Sequence, residues 1–221
     1  MKCYLCGSRQ NLTEDHVPAK TFFPKPRPDD LIKVPCCKSC HEPLTKDDEA
    51  FRTWVICAQT NSPSVKKLFD QGVLQKTIDR SAKLHEHILR HIVSSPVFGV
   101  KGIELLPALN FPQDRAERFL VRVTKAMIAK FYPSYDYSSD SFGVRHLWSL
   151  TDDQVACVME MQTKFHKDSR GDKVFQFWRA VGDVGGAWIF IFYEAVGFVV
   201  FHRHTKAANS ELSVNHQPSP H

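Results

Sequence analysis

Two Cys-x-x-Cys pairs constrain this chain more than any other feature of its sequence. The first is Cys3–Cys6, followed directly by Gly7, and the second is Cys37–Cys40. Two such pairs supply the tetrahedral sulfur shell that a structural zinc ion prefers, and glycine suits the tight turn that closes the first pair. A short segment with few apolar residues would be stabilised by that metal in place of a core. The predicted zinc ligands are Cys3, Cys6, Cys37 and Cys40.

The other cysteines leave some alternatives open. Cys36 could replace its neighbour Cys37 as a ligand, although only Cys37 keeps the two-residue gap to Cys40. Cys57 and Cys157 lie in apolar sequence and are predicted to be small core residues. The total of seven cysteines is odd, and paired thiols in a reducing compartment bind metal more readily than they form disulfides. Cysteine usage therefore indicates zinc, with free structural cysteines as the alternative.

The composition is typical of a soluble globular protein. Hydrophobic residues make up 43% and charged residues 24% of the 221 residues. The longest apolar stretch, 187–201, is interrupted by Glu194 and Gly197, which argues against a membrane span. No apolar run precedes the first cysteine pair, so we see no secretory signal and expect a cytoplasmic protein. The net charge of +5 is compatible with nucleic-acid binding but does not require it.

An adjacent acid and histidine lie between the two cysteine pairs. Asp15 and His16 form this pair, and His41 directly follows the last cysteine. On an extended strand Asp15 and His16 point to opposite sides, so one can bind a metal while the other faces a water molecule. A cation held by Asp15 and His41 would stabilise charge on a phosphate, while neutral His16 accepts a proton from water. The alternative is a turn or cap role for Asp15 and a packed His16.

These residues resemble the HNH endonuclease family, whose ββα-metal fold often carries two CxxC zinc pairs in a treble-clef arrangement. The resemblance covers residues 1–50, and the string from Val34 to His41 is similar to an uncharacterised bacterial and phage branch. It implies structural Zn²⁺ on the four cysteines and a catalytic Mg²⁺ or Mn²⁺ on Asp15 and His41. His16 would be the general base.

The resemblance implies a metal-dependent endonuclease that hydrolyses phosphodiester bonds of nucleic acid, DNA more than RNA, in defence or mobile-element biology. The protein is further expected to form a homodimer or to bind a partner protein of a defence system. The family usually places an Asn before the second cysteine pair to orient the base, whereas 29–33 contains none. Asp30 or a backbone carbonyl could orient His16 instead. The alternative function is therefore a non-catalytic zinc-stabilised module that binds nucleic acid or protein.

Apolar periodicity over the remaining chain predicts an α+β protein. We expect a zinc-binding HNH-like ββα-metal module over 1–60, a helical segment with a small antiparallel sheet over 61–204, and a mobile tail over 205–221. Aromatic residues of the predicted strands are expected to form the sheet core. The predicted elements are a helix beginning near Lys46, two helical pieces over 63–95 broken around Gly72, a helix from Pro112 to Pro133, and strands at Val155–Phe165, Val174–Val181 and Ala187–His202.

Two weaker signals lie outside the N-terminal motif. His85, His87 and His91 fall on one predicted helix, where they form a rival metal site or, more simply, part of a solvated face. Basic residues between Lys66 and Arg90 could contact phosphates beside the active site or form ordinary helix surface. A later predicted helix carries Arg118, Arg122 and Lys125 on the side opposite its apolar face, where they could face a ligand.

Overall fold

The fold begins with a two-stranded hairpin that leads directly into a long helix. The computed structural model describes residues 1–58, 62–99, 102–110, 112–160 and 164–204. Strands β1 (Leu12–His16) and β2 (Lys33–Cys37) pair antiparallel, with Asp15 opposite Val34. Helix α1 (Lys38–Ala58) begins at the residue after β2. A short 3-10 helix at Lys20–Phe22 lies in the connection between the two strands.

Short helices, a second hairpin, a long helix and an antiparallel sheet follow. The helices are α2 (Pro63–Asp70), α3 (Val73–Arg80), α4 (Ala82–Arg90), α5 (Gln113–Phe131) and α6 (Asp152–Glu160). Strands β3 (Ile92–Gly99) and β4 (Gly102–Leu109) form the hairpin. The sheet has the order β5-β9-β8-β7-β6 and contains β5 (Asp140–His146), β6 (His166–Arg170), β7 (Phe175–Gly182), β8 (Gly185–Phe192) and β9 (Val196–His204).

The core lies between α1, α5 and one face of the five-stranded sheet. The ring of Phe51 on α1 stacks on Phe119 of α5 with centroids 3.9 Å apart, and it meets Phe192 of β8 edge-on at 5.2 Å. Buried residues of the N-terminal hairpin belong to the same cluster as those of α5 and the sheet. The sheet face is aromatic because side chains alternate along each strand and place every second ring inward. The expected aromatic core is confirmed by Phe175, Phe177, Phe190, Phe192 and Phe198.

The α+β class and the antiparallel sheet are confirmed. The predicted helix after Pro112 and the strand at Val174–Val181 are also confirmed, as α5 and β7. The proposed boundary at residue 60 stays a prediction, and the predicted tail at 205–221 lies outside the described residues. Within the described ranges, no helix combines the length and the apolar character needed to cross a membrane.

The start of α1 corrects the prediction that a helix begins near Lys46. The helix begins eight residues earlier, at Lys38. Acidic residues suggested the later start because carboxylates favour the first turn of a helix. In the structure Asp47 and Asp48 lie inside α1 and pair with Arg118 and Arg122 of α5, so tertiary ion pairs rather than the helix dipole account for these two acids.

The predicted strand at Val155–Phe165 is also wrong, because α6 occupies Asp152–Glu160. Thr151 and Gln154 form a reciprocal capping box: the Gln154 amide donates to Thr151 Oγ1 at 3.4 Å, and the Thr151 amide donates to Gln154 Oε1 at 3.2 Å. This cap starts a helix within the apparent period-two run. The helix is exposed, so Cys157 lies at the surface and its predicted core position is wrong; Cys57 is partly buried.

Two further boundaries differ from prediction. Residues 63–95 form three helices and the start of β3, rather than two helical pieces, because the Ser81 hydroxyl accepts from the Leu84 amide and begins α4 as a new helix. The predicted strand at Ala187–His202 is divided into β8 and β9 by a turn with positive φ at Tyr193 and Glu194. Neither correction changes the N-terminal elements that carry the site.

Candidate metal centre

The four predicted zinc ligands come together where the N-terminal turn meets the junction of β2 and α1. The turn is closed by the Gly7 amide, which donates to the Cys3 carbonyl at 2.9 Å, and Gly7 has a φ of +73° that favours glycine. The second pair spans the end of β2 and the first turn of α1. The chain passes from strand to helix between these two residues, and this junction places the thiols of Cys37 and Cys40 in one cluster.

The sulfur geometry fits a single tetrahedral ion. All four Sγ atoms lie within 4.8 Å of one another, and Cys6 Sγ and Cys37 Sγ are 3.5 Å apart. A zinc ion with Zn–S bonds of about 2.3 Å needs sulfur separations of about 3.8 Å. The thiols form no disulfide. The predicted four-cysteine metal site is confirmed as an arrangement that can hold an ion, and its donor set is the one that structural zinc prefers.

Cys37, rather than Cys36, belongs to this cluster. The side chain of Cys36 is buried in the core, and burial raises the pKa of its thiol, which favours the protonated form. The Sγ atom of Cys37 lies among the cluster thiols instead, 3.5 Å from Cys6 Sγ and 3.3 Å from the Ser39 hydroxyl oxygen. Strand alternation therefore separates a core cysteine from a ligand cysteine at adjacent positions.

Asp15 is a buried carboxylate held on one oxygen by two side chains. It is 2% exposed, and its Oδ2 accepts a 2.8 Å hydrogen bond from the Tyr4 hydroxyl and a 3.4 Å bond from Arg122 Nη1. Burial raises the pKa of Tyr4, so the phenol keeps its proton and remains a donor. These contacts fix the orientation of the carboxylate and leave Oδ1 free to face α1.

Arg122 links this carboxylate to a second one. Its guanidinium, 4% exposed, also pairs with Asp48 of α1, where burial raises the pKa of the Asp48 carboxyl to about 6. The sequence interpretation placed Arg122 on a ligand-facing side of its helix, whereas the structure buries it against Asp15. The supporting roles of Tyr4 and Asp48 were missed; the one sequence signal for Tyr4 is its position inside the first cysteine pair.

His41 lies opposite the remaining oxygen of Asp15. Its Nε2 is 3.4 Å from Asp15 Oδ1, and its Nδ1 is 3.5 Å from Thr13 Oγ1. The Thr13 hydroxyl has one proton and donates it to the Cys36 carbonyl at 3.0 Å, so it acts as an acceptor toward His41 Nδ1. A neutral His41 then presents the Nε2 lone pair to a carboxylate. A cation or a proton between the two atoms satisfies both groups.

His16 is the last residue of β1 and directly follows the buried Asp15. Its ring is partly exposed, and burial, followed by nearby Lys20 and Lys33, lowers the pKa of the imidazole and favours its neutral form. Among the described residues, the His16 side chain makes no hydrogen bond or ion pair. Asp30, the predicted orienting group, lies instead with its carboxylate 3.6 Å from Arg170 Nε.

The rival histidine site has no comparable arrangement. His91 meets the Trp54 ring edge-on with centroids 5.1 Å apart, and the side chain of His87 lies outside the described residues. Across the described part of the chain, the four cysteines are the one group of three or more His, Cys, Asp or Glu side chains placed to share an ion. Asp15 and His41 form a separate two-residue group, in which His41 directly follows the cluster residue Cys40 in the sequence.

Comparison of the chain with protein-family models, with curated proteins and with solved structures finds no match in any of the three. The HNH resemblance therefore stays a prediction, and the positions of Asp15, His16, His41 and the cysteines supply the grounds for a functional proposal.

Proposed function

We propose that this protein is an HNH-type, metal-dependent endonuclease that hydrolyses phosphodiester bonds of nucleic acid, with DNA as the preferred substrate. The observation that carries the proposal is the distance of 3.4 Å between Asp15 Oδ1 and His41 Nε2. Asp15 directly precedes His16 in the sequence, and His41 directly follows the proposed zinc ligand Cys40. In this proposal the hairpin β1–β2 and helix α1 form a ββα-metal module of treble-clef type.

The proposed catalytic cation is Mg²⁺ or Mn²⁺, held by Asp15 and His41. Two ligands at about 2.1 Å from an octahedral Mg²⁺ lie about 3.0 Å apart, which a small side-chain adjustment from 3.4 Å would reach. When bound, such an ion neutralises charge on a phosphate oxygen and makes a bound water or leaving oxygen more acidic. A carboxylate oxygen and an imidazole nitrogen are both suitable donors for Mn²⁺.

The residues around this pair support its chemistry. Tyr4 and Arg122 hold Asp15 in one orientation, as supporting hydrogen bonds commonly do for a ligating carboxylate. The Thr13 hydroxyl does the same for His41 and keeps its proton on Nδ1. His16, neutral and partly exposed, can accept a proton from an attacking water at an imidazole nitrogen. The zinc cluster would fix the start of α1, and with it His41, against the hairpin.

A plasmid-nicking assay tests the proposal. Zinc-loaded protein, freed of other divalent ions, is expected to convert supercoiled plasmid to nicked or linear forms with Mg²⁺ or Mn²⁺, and to leave it intact without added metal or with brief exposure to EDTA. The Asp15→Asn variant, which keeps the shape of the side chain, should lose this activity. Metal-independent cutting, or equal cutting by Asp15→Asn with an unchanged fold, would contradict the proposal.

The second candidate function is a zinc-stabilised module that binds nucleic acid or a partner protein without cutting. Two observations favour it: residues 29–33 contain no Asn, and the Asp30 carboxylate pairs with Arg170 rather than with His16. It predicts a shift of DNA mobility in a gel with no cleavage under any metal condition. The same reactions therefore separate the two functions when binding and product formation are both recorded.

A further inference from the structure

A cationic cavity of about 610 Å³ lies between the connection from β1 to β2 and helices α1 and α3. Its size is in the usual range for small-molecule sites. Neither the zinc ligands nor Asp15, His16 or His41 line it. Five of its lining side chains are cationic and one is a carboxylate; they are Lys25, Arg27, Arg52, Lys76 and Arg80, and Asp79.

Arg52 is the buried charge of this cavity. Its side chain is 5% exposed, yet its hydrogen-bond partner is the neutral hydroxyl of Thr77, 2.7 Å from Nη2. Its ion-pair partner Glu49 is distant, at 4.0 Å from Nη2, and is shared with Arg80, which lies closer at 2.9 Å. Burial of a guanidinium is costly without an anionic partner. Because one carboxylate serves two guanidinium groups here, a bound anion in the cavity would add countercharge to Arg52.

The rim of the cavity is held in place by hydrogen bonds. The backbone of Lys25 makes two bonds with the Gln71 side chain: its amide donates to Oε1 at 3.0 Å, and its carbonyl accepts from Nε2 at 2.8 Å. Arg27 Nε donates to the Lys20 carbonyl at 3.0 Å. These bonds fix the loop that carries two of the cations, so less ordering is needed when a ligand binds.

The lining is not uniformly charged. Val73 and the largely buried Phe23 contribute an apolar part beside the cations. A simple inorganic anion would use the charges alone, whereas a nucleotide combines a phosphate with a planar, less polar base. Arginine and lysine bind phosphate through charge-assisted hydrogen bonds, and an apolar wall can pack against a base.

We propose that this cavity binds the phosphate of a nucleotide, with Arg52 as the buried phosphate ligand and Lys25 and Lys76 at the rim. The nucleotide is either free or part of a nucleic-acid strand, since both present the same chemistry. This inference does not rest on the proposed nuclease activity, because none of its residues belongs to the metal centre.

The test measures binding of deoxyadenosine 5′-monophosphate, deoxyadenosine and a twelve-residue oligothymidylate by calorimetry, with zinc-loaded protein and without Mg²⁺ or Mn²⁺. We expect the monophosphate to bind about tenfold or more tightly than the nucleoside, which corresponds to about 1.4 kcal/mol. Lys76→Glu should weaken monophosphate binding by a similar factor. Lys66→Glu is the matched control: Lys66 is exposed on α2, does not line the cavity, and undergoes the same charge change.

Equal affinity for monophosphate and nucleoside, no binding of the monophosphate, or equal effects of Lys76→Glu and Lys66→Glu would overturn the proposal. Competition by the oligothymidylate assigns the site to a nucleic-acid strand, and its absence assigns it to a free nucleotide. Because no divalent ion is added, these results do not depend on whether the protein cuts DNA.

Discussion

Replacing His16 with alanine is expected to lower the rate of Mg²⁺-dependent plasmid cleavage by about 10²- to 10⁴-fold, the usual contribution of a general base. The reason is that no other group replaces its proton-accepting nitrogen in the proposed mechanism. The fold should be unaffected, because the ring is partly exposed and lies at the end of β1. Cleavage rates of wild type and variant at equal zinc content measure the effect.

His85→Ala is the matched control for that experiment. His85 is exposed on α4, away from the hairpin in sequence, and belongs to the rival histidine site. Its removal should leave cleavage unchanged. Undiminished cutting by His16→Ala would remove His16 from the mechanism, and loss of cutting in His85→Ala alone would place the chemistry in the rival site. A circular dichroism spectrum and a zinc assay on both variants exclude unfolding as the cause.

Cys40→Ser is expected to have the largest effect on stability. Apparent binding free energies of structural zinc are about 10–16 kcal/mol in small zinc modules, so loss of one thiolate should abolish tight binding and unfold the junction of β2 and α1. Wild type should hold one zinc ion per chain, and the variant none. Metal content by mass spectrometry and the thermal unfolding midpoint by circular dichroism measure both quantities.

Cys157→Ser provides the same chemical change outside the cluster, since Cys157 is an exposed thiol on α6. It should keep both the zinc and the unfolding midpoint. A Cys40→Ser protein that retains one tightly bound zinc ion and melts like wild type would show that the four cysteines do not form the predicted site. A low zinc content in wild type after zinc-supplemented expression would lead to the same conclusion.

The four cysteines of the candidate metal centre were predictable because the signal for them is local in the sequence. The spacing within each Cys-x-x-Cys pair is typical of a tight turn, and the two-residue gap to Cys40 favours Cys37 over Cys36, which the structure confirms. The opposite directions of Asp15 and His16 follow from strand alternation in the same way. The approach of Asp15 to His41 is less local, because it requires a hairpin register in which Asp15 pairs with Val34 and a helix that begins at Lys38.

Contacts between distant segments could not be derived from the sequence. Arg122 reaches Asp15 across 107 positions, and no local pattern shows that an arginine on α5 is buried against β1. The start of α1 was predicted wrongly for the same reason: the sequence suggests Asp48 as a signal for the first turn of the helix, whereas it is the ion-pair partner of Arg122. The error at α6 has a different cause, because the capping box at Thr151 and Gln154 is a local signal that apolar alternation concealed.

Titration of zinc-loaded protein with Mn²⁺, followed by electron paramagnetic resonance, tests most directly whether Asp15 and His41 share a divalent ion. We predict one bound Mn²⁺ per chain in wild type, with magnetic coupling to a histidine nitrogen, and loss of that site in both Asp15→Asn and His41→Ala while zinc is retained. Absence of a bound Mn²⁺, or a site of equal affinity in wild type and both variants, would contradict the proposed metal-dependent nuclease.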